Sequence, residues 1–119
     1  MPREFSRTQR VSELIRRELA DIISTRISDP RLSLISITAV DVSKDLKYAR
    51  VYFTRLGDND QTLAALGKAS RFLRRELSSR LSMKASPSLN FSYDHSVERG
   101  VALFKLIEQA NKNLPGDES

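Results

Sequence analysis

The segment Gly67-Lys-Ala-Ser-Arg-Phe-Leu-Arg-Arg-Glu-Leu-Ser-Ser-Arg-Leu81 decides how the rest of the chain is read. Leu73, Leu77 and Leu81 recur every four residues, and Leu63, Leu66 and Ser70 extend the series upstream. At ~100° per residue these six positions cover one side of a helix. Lys68, Arg71 and Arg75 cluster on the opposite side, flanked by Arg74 and Arg80. Phe72 spoils the pattern, because it falls roughly 140° from the centre of the leucine stripe. Either the ring is exposed, or the helix kinks at Ala69, Ser70 and Arg71 and resets its phase. The kink, dividing the segment into paired helices, is the expected solution.

Charge singles out the same segment. The chain holds 20 Lys and Arg against 15 Asp and Glu, a net charge of +5. Residues 67–84 alone carry Lys68, Arg71, Arg74, Arg75, Arg80 and Lys84 against Glu76, which is also +5. Residues 1–31 add +2, residues 32–66 cancel, and residues 85–119 return −2. A helix surface charged only for solubility tends to mix signs. One concentrated basic face points instead to a polyanion, with nucleic acid the first choice.

Upstream, Ser6 and Gln9 have capping-box spacing. Val11, Leu14, Ile15, Leu19, Ile22, Ile23 and Ile27 follow at intervals that make an amphipathic helix, ended by Asp29-Pro30. Ile35, Ile37 and Ala39 alternate with Ser36 and Thr38 as a strand, and the alternation slips at Val40 and Val42, where an end or a bulge is expected. Ser43-Lys-Asp-Leu46 supplies a turn. Tyr48–Thr54 alternates again, with Ala49, Val51 and Phe53 on one face and Tyr48, Arg50, Tyr52 and Thr54 on the other. The two strands read as an antiparallel hairpin. Downstream, Leu89, Phe91 and Tyr93 mark a third strand, and Ser96 caps a last helix through Val97, Val101, Phe104 and Ile107. The expectation is an α+β domain over residues 1–112, with a three-stranded sheet and helices packed on one face, and a short polar tail at 113–119.

Composition narrows the function classes. At 119 residues the chain suits one domain with one core. It has no cysteine, so disulfides, thiolate metal sites and cysteine nucleophiles are excluded. No apolar stretch reaches membrane-spanning length and no signal peptide is evident, so a cytoplasmic location with no membrane partner is expected. His95 is the only histidine and lacks ligating neighbours; Asp41, Asp45, Asp58 and Asp60 sit in or beside turns, where local hydrogen bonding explains them. No phosphate-binding loop, nucleophile elbow or zinc-protease motif occurs. No catalytic residue, metal ligand or cofactor is expected.

The order α-β-β-α-(kink)-α-β around a three-stranded sheet is the connectivity of a type II KH domain, which binds single strands with a GXXG loop absent here. The chain resembles the ribosome-binding factor A family along essentially its whole length. The resemblance is carried by Arg10-Val11, Ile27-Ser-Asp-Pro-Arg-Leu32, Val42-Ser-Lys-Asp-Leu46, Ala49-Arg-Val-Tyr52, Phe72-Leu-Arg74, Pro87-Ser-Leu-Asn-Phe91 and Tyr93-Asp94, with Ser96 and Gly100 behind. It implies an interrupted helix in place of the GXXG loop, and at the Ala69-Ser70-Arg71 kink this chain has arginine where that family usually has glycine. It further implies docking on the free 30S ribosomal subunit and assistance to 16S rRNA folding and end processing near the 5′-terminal helix, by a monomer.

The expected RNA-binding residues are Lys68, Arg71, Arg74, Arg75, Arg80 and Lys84, since cations three and four apart on one helix face can meet successive phosphates. Arg3, Arg7 and Arg10 at the N-terminus and Lys44 and Lys47 at the hairpin turn are secondary candidates. Tyr48, Arg50 and Tyr52 share a strand face in an arrangement compatible with base stacking. Two rival readings remain open: a small basic nuclease using aspartates such as Asp58 and Asp60, and a module that touches only ribosomal proteins.

Overall fold

A computed structural model describes residues 7–112. Ser6 of the expected capping box, Arg3 and the tail 113–119 lie outside the described residues. The elements are α1 (Arg7–Arg26), a 3-10 turn (Pro30–Leu32), β1 (Ser36–Val42), β2 (Tyr48–Thr54), α2 (Asn59–Arg80), β3 (Ser88–Tyr93) and α3 (Ser96–Lys112). Helix α1 buries Ile15, Leu19, Ile22 and Ile23, the face its periodicity marks. It gives way to the 3-10 turn where Asp29 precedes Pro30. There the Asp29 carboxylate accepts from the Arg31 backbone N–H at 2.9 Å and from the Arg31 guanidinium.

The sheet order is β1-β2-β3, with β1 antiparallel and β3 parallel to the central β2. The slip in alternation is a bulge between Ile37 and Ala39. It returns Val40 and Val42 to the core side, where both pack against the buried cluster. In the hairpin turn the Leu46 N–H donates to the Ser43 carbonyl, and the Ser43 N–H to the Tyr48 carbonyl, both at 2.9 Å. Helix α2 is the crossover that a parallel β2–β3 pair requires. Its N-terminus is capped by Asp58, which accepts from the backbone N–H groups of Asp60 and Gln61 at 2.9 and 3.2 Å. Ile15, Leu19 and Ile22 of α1, Val51 and Phe53 of β2, and Leu66, Leu73 and Leu77 of α2 close one core between the helices and a single face of the sheet.

Two expectations are corrected. The α-(kink)-α pair is one helix: α2 runs unbroken through Ala69, Ser70 and Arg71, and none of the three has positive φ. Arginine therefore meets no steric penalty there. Phe72 needs no change of phase, because α1 lies along that flank of α2. The ring is half-buried against the core cluster, with the Arg26 guanidinium 5.9 Å from its centroid. The second correction concerns the last helix. Helices α1 and α2 cover the sheet as expected, but α3 stands off the body. It buries none of its residues, and Val97, Val101, Leu103, Phe104, Leu106 and Ile107 are all at least half exposed. With the core side of the sheet already closed, no uncovered apolar sheet surface remains for α3. The opposite side presents polar groups.

Candidate nucleic-acid interface

The C-terminal half of α2 and the segment that follows it form an open cleft of about 560 Å³, lined by Arg71, Arg74, Arg75, Ser78, Ser79, Met83, Lys84, Ala85 and Ser86. The chain doubles back there through a helix C-cap of defined geometry. Ser82 adopts φ 53°, the Met83 N–H donates to the Ser78 carbonyl at 3.0 Å and the Ser82 N–H donates to the Ser79 carbonyl at 3.4 Å. These are the two bonds of a Schellman motif, with serine at the position glycine usually takes.

Side chains then fasten the returning segment to the helix. The Ser78 hydroxyl donates to the Met83 carbonyl at 3.1 Å, and the Ser86 hydroxyl to the Arg74 carbonyl at 2.9 Å. The Arg74 guanidinium answers by donating to the Ser86 carbonyl at 3.3 Å. Ser86 and Pro87 are buried, so the loop is pinned at its far end and holds Lys84 beside the arginines. These serines were not read as part of the site. Their signal was present as small hydroxyl residues interleaved with the arginines, where they satisfy backbone carbonyls at a helix end.

Four of the six principal candidates thus meet in one place. Arg71, Arg74, Arg75 and Lys84 are exposed on the cleft, and no carboxylate lies within ion-pairing distance of them among the described residues. The one acidic residue of the segment, Glu76, points the other way, 3.1 Å from the Arg26 guanidinium. Arg80 also points the other way. Its guanidinium lies 3.0 Å from Glu18 and 2.6 Å from Asp21 of α1, and those hydrogen bonds, Asp21 first, hold it still more firmly protonated. Arg80 fastens α1 to α2 and does not line the cleft. Lys68 is exposed one turn N-terminal to Arg71, outside the lining.

The secondary candidates lie apart. Arg7 and Arg10 are exposed on the first turn of α1, and Lys44 and Lys47 on the hairpin turn. Of the two aspartates of the nuclease reading, Asp58 is in structural use and Asp60 is exposed in the first turn of α2. Asp58 caps α2, and Asp45 accepts from the Ser43 hydroxyl and the Lys47 N–H. No group of three or more His, Cys, Asp or Glu side chains able to hold a metal occurs among the described residues. None of the described helices is long and apolar enough to cross a membrane.

Fold and cleft together define a class: a small α+β domain of KH-like connectivity whose crossover helix carries an unpaired cationic face. Comparison with known proteins narrows it. The family model for ribosome-binding factor A matches residues 7–107, and the chain belongs to that family. It is 48% identical over 116 residues to ribosome-binding factor A of Stutzerimonas stutzeri, spanning 92% of this chain and 90% of that protein. The crystal structure of ribosome-binding factor A from Thermus thermophilus superimposes with a TM-score of 0.69 at 32% identity, covering 72% of this chain and 93% of that one. A homology model of Thermus thermophilus ribosome-binding factor A, fitted into the cryo-electron-microscopy map of its 30S complex, matches with a TM-score of 0.65 at 32% identity, covering 74% of this chain and 96% of that one.

Proposed function

We propose that this protein is a non-catalytic RNA-binding assembly factor that docks on the free 30S ribosomal subunit and assists late maturation of 16S rRNA, including processing at its 5′ end. The observation that carries the reading is the cleft, where Arg71, Arg74, Arg75 and Lys84 converge without a carboxylate to neutralise them. Guanidinium groups suit bidentate phosphate contact. The 30S complex formed by the Thermus relative supports the choice of subunit. The protein acts in the cytoplasm as a monomer. Its effect is differential binding: the cleft grips one arrangement of rRNA strands more tightly than others and so raises the population of that arrangement. No bond is made or broken by the protein.

Sucrose-gradient sedimentation of cell lysate tests the reading. The protein should run with free small subunits and be absent from translating ribosomes, and its depletion should lengthen the 5′ end of 16S rRNA as read by primer extension. Accumulation in polysomes, or a fully mature 5′ end in depleted cells, would contradict it.

A further inference from the structure

The cleft on α2 leaves the open face of the sheet without a role. Side chains alternate along β2, so Ala49, Val51 and Phe53 enter the core while Tyr48, Arg50 and Tyr52 stand on the side that no helix covers. Because β2 is the central strand, these three are flanked on both sides. Asp41 of β1 is the partner of Arg50, and on β3 Ser88 and Asn90 are the partners of Tyr48 and Arg50. Together they border a shallow depression of about 760 Å³. Tyr48 is 64% exposed. Among the described residues no hydrogen bond or ion pair engages the Tyr48 or Tyr52 hydroxyl, the Asn90 amide or the Arg50 guanidinium, even with Asp41 across the strand.

Two phenol rings and a guanidinium, all unsatisfied, on the most constrained strand of the sheet make a platform for planar aromatic groups. At ~3.3 Å per residue, Tyr48 and Tyr52 stand ~13 Å apart. That is several times the ~3.4 Å spacing of stacked bases, so the rings suit splayed, unpaired bases rather than a continuous stack. Exposed Lys44 and Lys47 extend the face beyond Tyr48 with positive charge. Rings apart, the face offers polar side chains and no large aliphatic anchor for a protein partner.

We propose that this sheet face is a second RNA contact, in which Tyr48 and Tyr52 stack on two unpaired bases and Arg50 lies over the backbone between them. The proposal rests on the RNA-binding reading given above and adds the substrate form, single-stranded rather than duplex. Asn90 supplies an amide for a base edge.

The test compares the full chain with Tyr48→Leu/Tyr52→Leu and Tyr48→Phe/Tyr52→Phe variants, using an oligouridylate of about twelve nucleotides and a blunt RNA duplex of similar length. The leucine pair should lose roughly tenfold in single-strand affinity per ring, keep its duplex affinity and keep the wild-type salt slope; the phenylalanine pair should bind as wild type. The chain has no tryptophan and three tyrosines, so tyrosine emission of the unmodified protein should fall when oligouridylate binds, a readout that needs no variant to fold. Unchanged single-strand affinity, equal losses on both RNAs, or unquenched emission would overturn the proposal. The first and last of these are what a protein-binding face would give. An Arg71→Ala/Arg74→Ala/Arg75→Ala variant separates the two claims. If wild type binds neither RNA, the RNA-binding reading itself fails; if the triple variant binds both RNAs as wild type, the cleft is not the site; if only the leucine pair is silent, the reading and the cleft stand and the sheet face does not.

Discussion

Ser82 ends α2 in a left-handed conformation that costs a residue with a Cβ about 1–2 kcal/mol, whereas glycine there would give up about 0.5–1 kcal/mol in chain entropy. The first term is larger, so Ser82→Gly should raise the stability of the fold by roughly 0.5–1 kcal/mol in urea unfolding, without moving the cleft cations. Asp94 gives a prediction in pH. Its carboxylate accepts from the Thr38 hydroxyl, then from Ser96, and these bonds pull its pKa from 3.8 down to about 2. A folded-state value below the unfolded one stabilises above the unfolded pKa, and that contribution disappears as pH falls through the folded one. Asp94→Asn should therefore melt below wild type at about pH 6, with the gap narrowing below about pH 4 and closing near pH 2. A gap of constant size across that range would mean that ionisation of Asp94 is irrelevant. Arg80 is the residue least readable from sequence, since Glu18 and Asp21 lie 62 and 59 positions away along the chain. Helical angle placed it on the flank of the basic face, and only the packing of α1 shows which neighbour it meets. Arg80→Ala should lower the melting temperature while leaving RNA affinity unchanged.

Elements were readable wherever a period ran uninterrupted. α1, both hairpin strands, β3 and the extent of α3 follow from spacing, and the slip at Val40 foretold the bulge. The break expected in α2 failed for an identifiable reason. A leucine stripe describes one contact surface, whereas α2 is buried by the sheet and also flanked by α1, so Phe72 finds cover outside the stripe. Leu73 is at the shared centre and fully buried; Leu73→Ala should cost about 2–5 kcal/mol. Helix α3 is the opposite case, because an amphipathic pattern states that a face is apolar but not what covers it. Removing residues 97–119 takes away no buried side chain of the described body and spares Ser96, so the stability of the remainder should stay within about 0.5 kcal/mol of the full chain. Dye binding to exposed apolar surface should fall as the stripe from Val97 to Ile107 is lost.

For the whole molecule, sequence located the charge and structure sorted it. Six cations crowd residues 67–84, yet the fold gives Arg80 to an ion-pair network between helices and gathers Arg71, Arg74, Arg75 and Lys84 on the cleft. Had all six been locked to carboxylates, membership of the family would have stood without a mechanism. Four cations without carboxylate partners set a magnitude, since each phosphate contact with single-stranded RNA contributes ~0.7 to the slope of log affinity against log salt. The measurement that bears most directly on this account is that slope, determined for the wild-type chain and for Arg71→Ala/Arg74→Ala/Arg75→Ala on the same single-stranded rRNA fragment. The prediction is about −3 for wild type and about −1 for the variant, with the variant staying folded and melting only slightly lower, since the three side chains are exposed and the one bond lost is that from Arg74 to the Ser86 carbonyl. Equal slopes from two folded proteins would contradict it and remove the cleft from RNA binding.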